Sequence, residues 1–226
     1  MSHIKKLLRM IITGKYPQLR LRRNRKREWS RRLTSENNLS VNDLILPIFI
    51  IDGKNKKIPI KSMPGVYRYS LDKLNSVVQS AINLGIPMIA FFPYTKSNLK
   101  NYLGTESLNP NNLVCKASKQ IKKTFKNKIG VMCDVALDPY TSHGHDGIIK
   151  NKNILNDETI KVLVEQSLLQ AQMGCDVLAP SDMMDGRIGA IRKALDKEKF
   201  YDVSILSYAV KYASSFYGPF RDAVGS

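Results

Sequence analysis

The chain has 226 residues, 43% hydrophobic and 24% charged, an ordinary globular composition with enough apolar sequence to bury a sizeable core. Its formal charge of +17 would point to nucleic acid or an anionic membrane, but the surplus is localised. Twelve Lys and Arg, against Glu28 alone, precede residue 33; the rest is only mildly basic, and neither nucleic acid nor membrane is expected as its partner.

Residues 1–27 contain no acid, and Ile4, Leu7, Leu8, Ile11 and Ile12 fall at the i, i+3, i+4, i+7, i+8 spacing of a short amphipathic helix. Three readings compete: an arm that packs on a neighbouring subunit, an organelle-targeting presequence, and a tail for membrane surface or nucleic acid. The Arg-rich run from Arg20 to Arg32, with Trp29 inside it, leads into the domain without an obvious cleavage site, which favours the arm. The expected division is a basic arm over 1–32 and one domain over 33–226.

Leu44 to Ile51 is a continuous apolar run, as expected of a strand buried on both faces. A lysine-rich excursion from Lys54 to Ile60 and a turn at Met63-Pro-Gly65 follow. Ser70 is placed to cap a helix with the apolar stripe Leu71, Leu74, Val77, Val78, Ala81 and Ile82, stopped by Gly85 and Pro87. The unit then recurs. Strands are predicted at 88–94, 129–134, 175–181 and 203 to about 211. The intervening helices are predicted at 111–125, at 157–173 behind an Asn156 cap, and from 186 to about 197.

Five strands alternating with four helices mean a parallel sheet, either doubly wound or closed as a (β/α)8 barrel. No Gly-x-Gly-x-x-Gly or phosphate-binding loop follows a strand, so a doubly wound nucleotide site is unsupported. The barrel reading puts Asp134, Ser181 and Lys211 at the C-terminal ends of successive strands, where barrel enzymes collect their chemistry. The bland reading of each is a turn starter, a helix cap and a solvated cation. Cys115, Cys133 and Cys175, odd in number and without a C-x-x-C pair, fit reduced thiols in the cytoplasm, not a disulfide framework or a four-thiolate zinc site. No apolar run approaches the ~20 residues of a membrane span.

Two stretches concentrate the chemistry. Ser207 to Asp222 sets Lys211 among Tyr208, Val210, Tyr212 and Phe216; an amine desolvated there becomes a Schiff-base nucleophile, and Arg221 beyond a Gly-Pro turn suits a carboxylate. The alternative is a lysine whose stem packs while its ammonium reaches water. The loop Cys133 to Gly147 carries Asp134, Asp138, His143, His145 and Asp146, a set for a hard divalent cation or for acid and base beside the amine. Its alternative is a turn-rich loop whose Asp side chains bond local backbone N–H groups.

Those two stretches, together with Ala179 to Arg187 and Ser62 to Val66, resemble the porphobilinogen synthase (5-aminolevulinate dehydratase) family over nearly the whole chain from about Arg20. The resemblance implies an α/β fold, a (β/α)8 TIM barrel of which about the first five strands are present. The activity it implies is a hydro-lyase that condenses two 5-aminolevulinate molecules to porphobilinogen in tetrapyrrole (haem) biosynthesis. It also implies a homo-oligomer, usually an octamer, in which the arm embraces a neighbour.

By the same resemblance Lys211 forms the Schiff base with the second, A-side substrate, Arg221 binds carboxylate, Tyr217 faces substrate, and Asp134 and Ser181 are polar active-site positions. Ala136, Asp138 and Asp146 stand where zinc-dependent members carry cysteines; this implies magnesium, with Asp138 and Asp146 as candidate ligands and the main allosteric magnesium ligand beyond residue 226. The family's second lysine is also expected beyond residue 226, so the chain alone is expected to be inactive. The alternatives are another Schiff-base lyase of the class I aldolase kind, or a non-catalytic relic with a basic arm for anionic partners.

Overall fold

The structure, a computed structural model, describes residues 14–212 and 214–225. The amphipathic helix expected between Ile4 and Ile12 lies outside them. The chain forms two compact units, 1–40 and 41–226. In the first, a 3-10 turn at Leu21–Arg25 precedes helix α1 (Glu28–Leu33). The Ser30 hydroxyl donates to the Asn24 carbonyl at 2.8 Å and joins the two, while Trp29 is largely exposed.

The second unit is built on strand β1 (Ile45–Ile51), followed by the short β2 (Lys57–Pro59) and β3 (Tyr67–Tyr69) and by helix α2 (Leu74–Asn83). Strand β4 (Met88–Tyr94), helix α3 (Leu113–Phe125) and strand β5 (Gly130–Val135) continue it. After the two-residue strands β6 (Ile149–Lys150) and β7 (Asn153–Ile154) come helix α4 (Asn156–Gln172), strand β8 (Val177–Pro180), helix α5 (Arg187–Lys197), strand β9 (Ser204–Ile205) and helix α6 (Tyr217–Val224).

The main sheet runs β2-β3-β1-β4-β5-β8-β9, and β1, β4, β5, β8 and β9 pair in parallel in chain order. A doubly wound sheet reverses its order at a switch point; from β1 to β9 these five strands follow one another without reversal, as in a barrel, while the short β2–β3 pair is added on the other side of β1. Period-2 alternation divides each strand between two cores. Ile48, Ile50, Ile89, Phe91, Val131, Cys133 and Leu178 pack with the helices, whereas Phe49, Ala90, Phe92, Met132 and Ala179 meet α6 on the other face. The same alternation sets Asp134 two residues past Met132, on the α6 side.

Several boundaries depart from expectation, each for a physical reason. The lysine-rich excursion contains β2, which pairs antiparallel with β3, and β3 pairs in parallel with β1. Ser70 does not cap α2: its hydroxyl donates to Asp72 Oδ1 at 2.7 Å and accepts from the Lys56 N–H. Asn156 is the first residue of α4, its side chain spent on Asp157 and on the loop at Asp185. The fifth strand, expected to reach Lys211, is two residues long, because only β8 flanks it. Beyond Ile205 the backbone still bonds β8 on one side, through Leu206 N–H to Leu178 O (2.9 Å) and Tyr208 N–H to Pro180 O (3.4 Å). Where a Gly-Pro turn was expected, α6 forms and ends at Gly225, whose φ of +68° and N–H bond to the Arg221 carbonyl cap it.

Candidate active site

A cavity of about 520 Å³ opens at the C-terminal ends of β5 and β8. Asp134, Asp138, Asp146, Ser181, Lys211, Tyr217 and Arg221 all contribute to its wall, so the structure brings the seven residues selected from sequence together. Asp134 and Ser181 arrive there by strand register: Asp134 pairs with Ala179, two residues before Ser181. Tyr217 and Arg221 arrive as an i, i+4 pair on one face of α6. Beside Tyr208, named above as a neighbour of Lys211, Phe92, Met183 and Phe220 supply an apolar wall that the motif reading passed over. Only Phe92 had a signal, since it shares the inward face with Met88 and Ala90 along β4.

Lys211 is not the buried amine that the surrounding apolar run suggested. It is exposed, and so are Val210, Tyr212 and Phe216, because nothing among the described residues flanks β9 on its far side. Its Nζ donates to the Ser181 carbonyl at 2.5 Å and lies 6.0 Å from the Tyr217 ring centroid. The amine is therefore held by a directed bond at the end of β8, not by desolvation.

The carboxylates are the perturbed groups. Burial pushes Asp134 up to about 7, with Asp138 adding to the shift while a Ser181 hydrogen bond and Lys211 oppose it. One of its oxygens, Oδ1, is sealed from solvent without a partner. Asp138 is pushed up to about 6, first by burial and then by Asp146, against Lys211. A proton donor near neutrality thus stands beside an amine, the pairing that imine formation and breakdown require. Tyr208 is raised as well, by burial and then by Asp134.

Two neighbouring networks shape the loops. His145 Nδ1 accepts from the Gly147 N–H at 2.9 Å, so its approach to Asp146 Oδ1 at 3.1 Å is not a donor–acceptor pair for the neutral ring. Asp182, fully buried, faces Arg187 Nε at 3.1 Å without hydrogen-bond alignment. Burial there outweighs the Met184 N–H and Arg187, and holds the Asp182 carboxyl above its ordinary range. Arg187 also donates to the carbonyls of Met184 (3.0 Å) and Tyr208 (3.3 Å), linking the Ser181 loop to the Lys211 segment. Arg187→Ala should therefore destabilise the protein by about 3–5 kcal/mol at neutral pH. A smaller loss is expected on acidification, as Asp182 takes up its proton; urea midpoints at neutral and acidic pH measure both.

Asp138 and Asp146 do not complete a metal site by themselves. No group of three or more His, Cys, Asp or Glu suited to a metal occurs among the described residues, and a hard divalent cation takes six or more oxygens. Cys115, Cys133 and Cys175 are all buried, the last two in the helix-side core.

The family model described as delta-aminolevulinic acid dehydratase matches residues 18–226. The delta-aminolevulinic acid dehydratase of Bradyrhizobium diazoefficiens is 60% identical over 208 residues, 92% of this chain and 59% of that protein. A chloroplastic one from Chlamydomonas reinhardtii is 47% identical over 218 residues, 96% of this chain and 56% of that protein. A crystal structure of delta-aminolevulinic acid dehydratase (porphobilinogen synthase) from Toxoplasma gondii ME49, in complex with the reaction product porphobilinogen, matches with a TM-score of 0.85 and 45% identity, over 92% of this chain and 59% of that one. The chain thus spans about three-fifths of the length of these proteins and shares their α/β barrel fold over that part. With a match over 18–226, it belongs to the delta-aminolevulinic acid dehydratase family.

Proposed function

We propose that this chain is the portion of a porphobilinogen synthase that binds one 5-aminolevulinate and activates it as an imine. The observation that carries the reading is the meeting of Lys211, Asp134, Ser181, Tyr217 and Arg221 in one cavity. Arg221 and Tyr217, one helical turn apart, hold the substrate carboxylate. The Lys211 amine adds to the ketone carbon, and the carbonyl oxygen takes one proton from the amine nitrogen and a second from Asp134; it then leaves as water as the protonated C=N bond forms and Asp134 is left ionised. Ser181 presents the amine through its backbone carbonyl and steadies Asp134 through its side chain.

The family uses a second lysine, which we assign to sequence outside residues 1–226. β9 has one neighbour in the sheet, and an eight-stranded barrel closes only when that edge is paired. We therefore assign turnover to a chain that also supplies the pairing strands.

The remaining parts of the proposal rest on sequence. The basic arm, residues 1–32, is assigned to packing on a neighbouring copy in a homo-oligomer, and the unpaired, widely spaced cysteines favour the cytoplasm. Family members use zinc or magnesium. Ala136, Asp138 and Asp146 in the loop favour magnesium, with ligands beyond these two carboxylates, and no step above is routed through a metal.

One experiment tests the whole: a full-length enzyme carrying this sequence should convert 5-aminolevulinate to porphobilinogen, sediment as a multimer, and respond to magnesium after chelation. Turnover of other ketone or aldehyde substrates, with none of 5-aminolevulinate, would transfer the site to the aldolase class.

A further inference from the structure

The clamp helix α6 carries eight residues and follows a segment whose described residues, 211–212 and 214–216, are exposed. Its own hydrogen bonds do not account for its fixed position. Part of the hold is apolar: Phe220 stacks edge-on to Phe92 (5.0 Å, 88°) and against Phe49 (5.9 Å), and Ala223 and Val224 are fully buried. The rest is a cation at the helix C-terminus. Arg68, on β3, donates through Nε to the Ala223 carbonyl at 2.7 Å and through Nη2 to the Asp222 carbonyl. Its guanidinium also lies 4.5 Å over the Tyr94 ring.

The last carbonyls of a helix lack intrahelical partners and form the negative end of its dipole, so a two-pronged guanidinium is the side chain best matched to them. The ring beneath fixes the plane of the fork, and the fork in turn fixes the rotation of the helix. Rotation of α6 decides where Arg221 points.

We infer that Arg68 is a positioning residue for substrate binding: by capping α6 it orients Arg221 and Tyr217 toward the carboxylate without touching substrate. This gives the β2–β3 insertion a role that its lysine-rich sequence did not disclose. The inference rests on the clamp role proposed above for Arg221.

Hydrogen exchange and kinetics on the full-length enzyme test it together. Arg68→Gln should speed amide exchange in residues 217–225 about tenfold, with β4 and β5 unchanged, because two charge-assisted bonds are lost. It should raise KM for 5-aminolevulinate about tenfold while kcat changes less than about threefold, the signature of lost binding. Arg68→Lys, which keeps one donor, should recover part of both effects, and in an Arg221→Gln background Arg68→Gln should add little to KM.

A purely structural role predicts instead a fall in kcat with KM unchanged, or full additivity with Arg221→Gln; either result overturns the inference, as does unchanged exchange in α6. An enzyme inert toward 5-aminolevulinate would remove the proposed function. Exchange would then decide alone whether Arg68 holds the helix.

Discussion

Lys211→Ala in a full-length enzyme is expected to lower turnover of 5-aminolevulinate by on the order of 10³-fold or more, since among the described residues Lys211 is the one amine lining the cavity. Borohydride reduction in the presence of substrate should attach its carbon skeleton covalently to Lys211, visible as a mass increase on the peptide that contains it. The variant should lose that adduct and keep its fold, because the side chain is exposed and its one bond is to a carbonyl that water can satisfy. A labelled peptide elsewhere within residues 1–226, with none at Lys211, would end the assignment.

The second large effect belongs to Asp134. Its carboxyl is pushed up to about 7, chiefly by burial, whereas an unfolded aspartate titrates near 3.9. Between those values the folded state binds the proton that the unfolded state has lost, so this group makes stability fall as pH rises from about 4 to about 7. Asp134→Asn removes the ionisation. It is expected to flatten that part of the stability profile and to raise stability above pH 7 by about 2–4 kcal/mol. The same change should lower kcat by about 10²–10⁴-fold through loss of the proton donor. Thermal unfolding across pH and steady-state kinetics give the two readouts. A variant as active as the parent, or with a parallel stability profile, would show that Asp134 is a buried structural acid.

How much of this was legible in the sequence depended on whether the determining neighbour was local. β4 was read to the residue, because Pro87 and the apolar run from Met88 to Tyr94 bound it from within. α3 was nearly so; the Asn112 side chain that accepts from the Cys115 N–H starts it at Leu113, two residues later than predicted. Asp134 and Ser181 could be set side by side because strand alternation is a local rule.

β9 failed that test. Val203 to Lys211 has strand composition, but a strand needs two flanks to be buried, and composition cannot register a missing neighbour. α6 was hidden by Gly218-Pro219, which reads as a turn. In the first turn of a helix, however, proline removes an N–H that has no partner anyway. Lys211 was placed correctly in the cavity for a reason that did not hold, since its neighbours in sequence are not its cover in space. Arg68 carried no signal at all, its partner lying 155 residues away.

That separation bears on the order in which the molecule assembles. Each parallel strand pairs with one next to it in the series, so the sheet can be laid down progressively as the chain is synthesised. Arg68 to Ala223, Lys100 to Gly225 and Ser62 to Pro219 break that rule, spanning 155, 125 and 157 residues. Such distant contacts are the slow ones, and they must wait for residues 219, 223 and 225 in turn to be made. The substrate clamp therefore locks after the scaffold beneath it: a nascent chain would hold Asp134 and Ser181 in place while Arg221 is still unaimed, and would acquire its grip on a carboxylate only afterwards.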